Sequence, residues 1–253
     1  MRKFKYPAFG LFLLTVWVFP GQSGDAFQFS QTEEILTFLE NAAAVSVQPD
    51  ENAGRTEPWM VMLDDGKVRH KAIFKHIDRT RPYPLADSYK YELCAYKLHR
   101  MLGLDFIPPV TARTINDRQG ALQLFMEDCM PLEEAKRKED VKIDLPSIQD
   151  KMREICVFDA LTYCGCGQTE DVLYQISSGQ ICRVDYSQAF APMRELPPEC
   201  SIQGCSQEFL DNLKELDEDI IRKELSPYLN EEEISALLMR MHLIIEKLEN
   251  KSE

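Results

Sequence analysis

The sequence is short of positive charge. Twenty-nine lysines and arginines face 42 aspartates and glutamates, a net charge of −13 over 253 residues. General nucleic-acid binding needs a positive surface, so that class is excluded. The acidic excess reads as a solvated face. Internal repeats and low-complexity tracts are absent, which excludes solenoids and repeat arrays. The four histidines, His70, His76, His99 and His242, show no metal-ligand or triad spacing. Neither Ser187 nor Ser201 sits in a nucleophile elbow, so serine-hydrolase chemistry has no support.

Long apolar runs are missing everywhere except at the start. Arg2, Lys3 and Lys5 precede an apolar stretch from Ala8 to Phe19, and Pro20 to Gly24 then break it. That stretch is too short for a stable membrane span and has the layout of a signal peptide, residues 1–24. An uncleaved amphipathic anchor is the alternative. Without the three basic residues of this segment the net charge is about −16. The expected location is secreted, periplasmic or in a secretory lumen, with no membrane span after cleavage.

Cysteine is not scarce. All eight cysteines follow the apolar start: Cys94, Cys129, Cys156, Cys164, Cys166, Cys182, Cys200 and Cys205. Export permits disulfides, and an even count fits them, but spacing does not fix the pairing. Cys200 and Cys205 are near enough in sequence to close a small loop. Cys94 and Cys156 fall in helical apolar patterns and read as core thiols.

Along the chain, Thr32 to Ala44 has a helical apolar face of Ile35, Leu36, Phe38 and Leu39. Trp59–Leu63 and the stretch from Val68 to Lys75 read as two strands joined at Asp64-Asp65-Gly66, a hairpin signal. Asp87 or Ser88 can cap a helix whose face holds Tyr91, Cys94, Ala95, Leu98, Met101 and Leu102, with Glu92 on its flank and Gly103 closing it. "FIPPVTART" and "GALQLFMEDC" read as strands around the turn "NDRQG". The second half is mostly helical: 148–162, 206–217 and 231–249, with short strands at 172–176 and 181–184. The stripe in the last helix is a packing face rather than a cofactor or membrane surface.

Three residues stand out together. Lys75 ends an apolar strand, where an unpaired charge is costly. Glu92 lies at the edge of a buried helix face, and Asp185 follows a short apolar strand. Phosphoryl transfer uses such parts: an ion-paired lysine on the phosphates and a carboxylate on the metal.

The stretches "DDGKVRHKAIFK", "DSYKYELCAYKLHRMLGLDFIPPV", "GALQLFMEDC", "VFDALTY" and "RVDYSQAF" occur in an order that resembles the atypical kinase fold of HipA-type kinases and secretory-pathway Golgi casein kinases. The likeness is to an exported branch and covers roughly residues 54–192. It implies an α+β, two-lobed protein-kinase-like fold. Residues 25–44 would be a helical extension, 45–129 a small β-rich lobe with one helix, and 130–253 a helical lobe. It also implies ATP with Mg²⁺ or Mn²⁺ in the cleft between the lobes. Lys75 would hold the phosphates, Glu92 would pair with it, and Asp171 and Asp185 would bind metal. Gly54 would lie in a phosphate-covering loop, although it is a lone glycine. Glu127 and Asp128 would follow the strand where adenine docks.

The chain departs from that family in "CGCGQTED". Where the family has Asn-x-Asp-Arg, this chain has Cys164-Gly165-Cys166-Gly167, so Cys166 replaces the aspartate that accepts the substrate proton. A disulfide-bonded cysteine is no base, and a thiolate prefers soft metals. Three local readings stay open: a disulfide at Cys164 or Cys166, free thiols, or a zinc site completed by Cys182 or by Cys200 and Cys205. Three functions compete: an exported pseudokinase that binds nucleotide or a protein partner, an active atypical kinase for a protein or small molecule using Glu170 or Asp171, and a disulfide-stapled binding domain.

Overall fold

The structure is a computed structural model that describes residues 32–50, 57–79, 86–166 and 169–250. Residues 1–24, expected from the sequence to be a signal peptide, and Gly54 lie outside these residues. Helix α1, Thr32–Asn41, buries Ile35, Phe38 and Leu39, the i, i+3, i+4 spacing of one helix face. It stops earlier than the pattern predicts because the chain enters strand β1, Ala43–Pro49. This strand was not legible from the sequence. Its residues are nearly all exposed, so no alternation marks it.

Strands β2, Trp59–Asp64, and β3, Arg69–Lys75, form the expected hairpin. Asp64 accepts from the Gly66 amide at 2.8 Å, and Asp65 accepts from Lys67 and Val68 at 2.8 and 2.7 Å. Gly66 supplies the positive φ of +85° that the turn needs. A two-residue pair, β4 (Asp78–Arg79) and β5 (Asp87–Ser88), leads into helix α2, Tyr89–Met101. Ser88 is the cap, its side chain accepting from Lys90 N, and Gly103 at φ +68° follows the last turn. Strands β6, Val110–Ile115, and β7, Arg118–Leu124, turn at Asn116 and Asp117, both at positive φ. The turn is thus tighter than "NDRQG" suggests.

The five strands make one antiparallel sheet in the order β1-β2-β3-β7-β6. Side chains alternate across it. Val61, Leu63, Ala72, Phe74, Leu122 and Leu124 point outward and pack under Ile35, Phe38 and Leu39 of α1. Ala121 faces the other way, into the core that holds α2. By the same alternation Ile73, Lys75 and Gln123 face inward too.

The chain then runs through β8 (Cys129–Pro131), α3 (Leu132–Ala135), α4 (Leu145–Thr162), a 3₁₀ turn (Thr169–Asp171), β9 (Val172–Gln175) and β10 (Ile181–Arg183). The last three strands form a sheet in the order β10-β9-β8. Helices α5 (Gln207–Glu215), α6 (Glu218–Leu225) and α7 (Glu231–Glu249) complete it. Helix α4 begins three residues before the predicted start, with a proline in its first turn, where the missing amide hydrogen costs nothing. The helix predicted over 206–217 ends at Glu215, and Asp217 caps the unforeseen α6 by accepting from Asp219 N and Ile220 N. Asn230 opens α7 with a full capping box to Glu233. This is the α+β, two-lobed kinase-like arrangement that the sequence resemblance implies. No helix among the described residues is long and apolar enough to cross a membrane.

Gly120 in β7 sits where a Cβ would collide with the Lys75 carbonyl and the Phe74 ring. Gly66 has open space around it and only a backbone requirement. Urea unfolding should therefore rank them. Gly120→Ala is expected to cost about 1–3 kcal/mol through overpacking beside Lys75, and Gly66→Ala about 1 kcal/mol through its positive φ.

Candidate active site: an ion-paired lysine between the lobes

Strand alternation turns Lys75 inward, and the Ser88 cap fixes the helix turn that carries Glu92 opposite it. The Lys75 ammonium donates to Glu92 in a short ion pair and to Asp185 Oδ1 at 3.1 Å. Glu92 is 3% exposed and Asp185 43% exposed, so the network runs from the core to the open cleft. It joins three segments far apart in sequence: β3, α2 and the turn after β10.

Each charge owes its state to the others. Burial opposes the Lys75 charge, but Glu92 and Asp185 outweigh it and raise its pKa above that of an ordinary lysine. Burial pushes Glu92 up, with Asp185 adding to the rise and Lys75 opposing it. Burial acts on Asp185 in the same sense, yet Lys75 and Ser187 hold it well below the usual carboxylate range. Asp185 has a left-handed backbone, φ +65°. Its Oδ1 accepts from Ser187 Oγ at 2.8 Å and Ser187 N at 3.3 Å, an Asx turn that suits this conformation. Ser187 O in turn accepts from Ser88 N at 2.8 Å, tying the turn to the start of α2.

A cleft of about 380 Å³ opens beside this network. Trp59, Met60 and Ile73 line it from the five-stranded sheet, Leu173 and Val184 from the other lobe, and Phe125 and Met126 from the connection. Its charged lining is Lys75 with four carboxylates, Asp50, Asp87, Asp171 and Asp185. Glu127 and Asp128 do not line it. Their carbonyls accept from Gln175 Nε2 and from Ile176 N, which holds the connection against β9.

Asp171 reaches the cleft from the 3₁₀ turn, but its Oδ2 lies 3.3 Å from Arg183 Nη1. Arg183 is fully buried and also bonds the Val184 carbonyl and, at 3.4 Å, Asp159. Sequence reading missed this arginine. Its signal was an arginine in the apolar strand just before Asp185. Burial raises the Asp171 pKa, Arg183 lowers it and Asp185 raises it again. Burial also lifts Asp159 to about 6 against the pull of Arg183. Among the described residues no three His, Cys, Asp or Glu side chains converge as a metal group.

Tyr163, left-handed at φ +53°, ends α4, and Cys164 N bonds Asp159 O at 2.8 Å. Cys164 turns inward, its sulfur 3.5 Å from Arg183 Nη2. Cys166 turns the other way. It forms a disulfide with Cys200 and does not line the cleft. Two sequence expectations are thereby corrected. Cys200 bonds Cys166 and not Cys205, because the loop after α4 folds back on residue 200. Cys156 is only half buried, because its helix face meets this disulfide and not the core. Cys182 lies beside Cys129 on the second sheet, so the cysteines proposed for zinc are divided.

No protein family matches the chain, and no curated protein matches it in sequence. Among solved structures, it is similar to the Helicobacter pylori proinflammatory kinase CtkA at 12% identity. That likeness has a TM-score of 0.49 over 81% of this chain and 93% of the other. The FAT and kinase domain of CtTel1 matches at 13% identity and a TM-score of 0.44, over 78% of this chain and 21% of that one. Likenesses this distant carry no argument here. By its own topology the chain has a two-lobed, kinase-like fold.

Removing one partner from a buried ion pair leaves the other charge stranded, at a cost of about 3–5 kcal/mol. Lys75→Ala is expected to destabilise the fold by about 3 kcal/mol near neutral pH. Without Lys75, Glu92 takes up a proton in the folded state at a pH where the unfolded chain has lost it. Stability of the variant then falls as pH rises. Denaturation at pH 5 and pH 8 should show the larger loss at pH 8, and adding Glu92→Gln should remove the difference.

Proposed function

We propose that the chain is an exported, kinase-derived protein that binds ATP with Mg²⁺ or Mn²⁺ in the interlobe cleft and transfers phosphate poorly. The observation that carries this reading is the Lys75 ammonium, held between Glu92 and Asp185 at the wall of a cleft that also carries an apolar lining of Trp59, Met60, Ile73, Phe125, Met126 and Leu173. Apolar walls suit a base, and a fixed cation suits its phosphates. Lys75 would bind phosphate oxygens, and Glu92 would keep it aimed. Phe125 and Met126, which line the cleft, would meet the base more directly than Glu127 or Asp128. Gly54 would close over the phosphates.

Asp171 and Asp185 fit a hard divalent cation. Both are carboxylates open to the cleft, they repel one another, and Mg²⁺ needs only one or two protein carboxylates when phosphates supply other oxygens. Such an ion would neutralise phosphate charge. Arg183 competes for Asp171 and restrains it.

Poor transfer follows from Cys166. At the position of the expected proton acceptor stands a half-cystine, which takes no proton and faces away from the cleft. The alternative acid Asp171 is engaged by Arg183. We read residues 45–129 and 130–253 as the two lobes, in the manner of the HipA-type and Golgi casein kinases. The N-terminal apolar segment and the disulfide support export.

Thermal unfolding tests this. Nucleotide at ten times its Kd stabilises the native state by about 1.4 kcal/mol, a Tm rise of about 3–6 °C for a chain of this size. Wild type should show the rise with ATP and Mg²⁺ or Mn²⁺. Lys75→Ala and Asp185→Ala, each compared with its own nucleotide-free form, should not. No rise in wild type at millimolar nucleotide overturns the reading, and phosphate found by intact mass on the wild-type protein or an acidic substrate would replace it with an active kinase.

A further inference from the structure

Cys156, Cys166 and Cys200 meet outside the cleft. Cys166 and Cys200 are bonded, and the free thiol of Cys156 lies 3.8 Å from Cys166 Sγ. Cys166 Sγ is also 3.4 Å from the Cys156 carbonyl oxygen, and Cys156 Sγ is 3.6 Å from the Ser201 carbonyl oxygen. A thiol in contact with a disulfide is the starting arrangement for exchange. The remaining free cysteines are placed differently. Cys94 is buried in α2, Cys164 is held by Arg183 and the Asp185 carbonyl, and Cys129 and Cys182 lie beside each other as free thiols on the second sheet. Cys205 sits five residues beyond Cys200, next to α5.

We propose that Cys156, Cys166 and Cys200 form a thiol–disulfide exchange site in which Cys166 alternates between two partners. Cys156 loses its proton and its sulfur forms a bond to Cys166 Sγ. The Cys166–Cys200 bond breaks, and its electron pair leaves on Cys200, which takes up a proton. One disulfide and one thiol are present before and after, so no oxidant or reductant is consumed.

The two isomers tie the chain differently. Cys166–Cys200 joins the loop after α4 to residues 184–206, a stretch without helix or strand. Cys156–Cys166 fastens that loop back onto α4 and releases the stretch. Its first part, which includes the cleft-lining Ser187 and Gln188, is held by Ser88 and by Arg240, which bonds the Ala191 and Met193 carbonyls. The exchange site therefore sets how firmly the remainder, residues 194–206, is anchored. This inference does not depend on nucleotide binding.

The test is disulfide mapping of the full chain after equilibration in glutathione buffers spanning a wide range of reduced-to-oxidised ratio, quenched with acid and alkylated. Wild type is expected to yield both a 156–166 and a 166–200 linked peptide. Their ratio should stay constant across the buffers, because isomerisation consumes no redox equivalents, while the total bridged fraction changes. Cys200→Ser should retain Cys156–Cys166 as its bridge and be cut faster by protease within 194–206. Cys156→Ser should show Cys166–Cys200 alone. A wild-type map with only Cys166–Cys200 at every ratio overturns the proposal, as does an isomer ratio that drifts with the glutathione couple. The wild-type map decides even if a variant fails to fold.

Discussion

The Lys75 ammonium is the constraint around which the two lobes are organised. A buried lysine is tolerated only when its charge is answered, since the cost of stripping an ion of water is several kcal/mol. Here the answer comes from two places. Glu92 comes from α2, and so the helix must sit at one rotation and one height against the sheet. Asp185 comes from the turn after β10, and so the helical lobe must present that turn to the same point. Neither carboxylate is local to β3. The interaction cannot form until the strand, the helix and the second lobe are all in place, and in that sense it reports on the whole fold.

Buried arginine plays the corresponding role inside the helical lobe. Arg183 gathers Asp159, Asp171, the Val184 carbonyl and Cys164 around one guanidinium. Arg240 of α7 donates to the Leu161, Ala191 and Met193 carbonyls. These carbonyls lie in the last turn of α4 and in the irregular stretch after β10, where no helix or strand ladder supplies a partner. Loop geometry next to the cleft is thus set from behind by planar, always-charged groups with several donors. This explains how Tyr163 and Asp185 can hold left-handed backbones without glycine. Surrounding hydrogen bonds over-determine them.

The legible parts of the sequence are those where burial is one-sided. The β2–β3 hairpin, α2 with its cap and closing glycine, and α7 all announce themselves by period and punctuation. Lys75, Glu92 and Asp185 were legible as a group because each places charge beside apolar neighbours. The illegible parts fail for physical reasons. Strand β1 is an exposed edge with no alternation to read. Helix α6 is short and follows α5 with barely a break, so one period hides two helices. Arg183 went unread because the groups that satisfy it come from α4 and the 3₁₀ turn, far from it in sequence. Cysteine pairing is a matter of three-dimensional approach, and sequence proximity favoured the wrong partner for Cys200.

The same distinction bears on the loop of Cys164 and Cys166. Read along the chain, Cys166 stands where the family resemblance implies an aspartate. In three dimensions it does not line the cleft, and its bond to Cys200 links the loop to a segment 34 residues on. Meanwhile Cys164, two residues earlier, fills the space under Arg183, and burial lifts its thiol far above the ordinary range, so it stays a neutral packing group. The two cysteines thus divide the loop into an inner anchor and an outer tether. The inner restraint is a buried contact with Arg183 and the outer one a covalent bond, so the loop is fixed on two sides by different physical means.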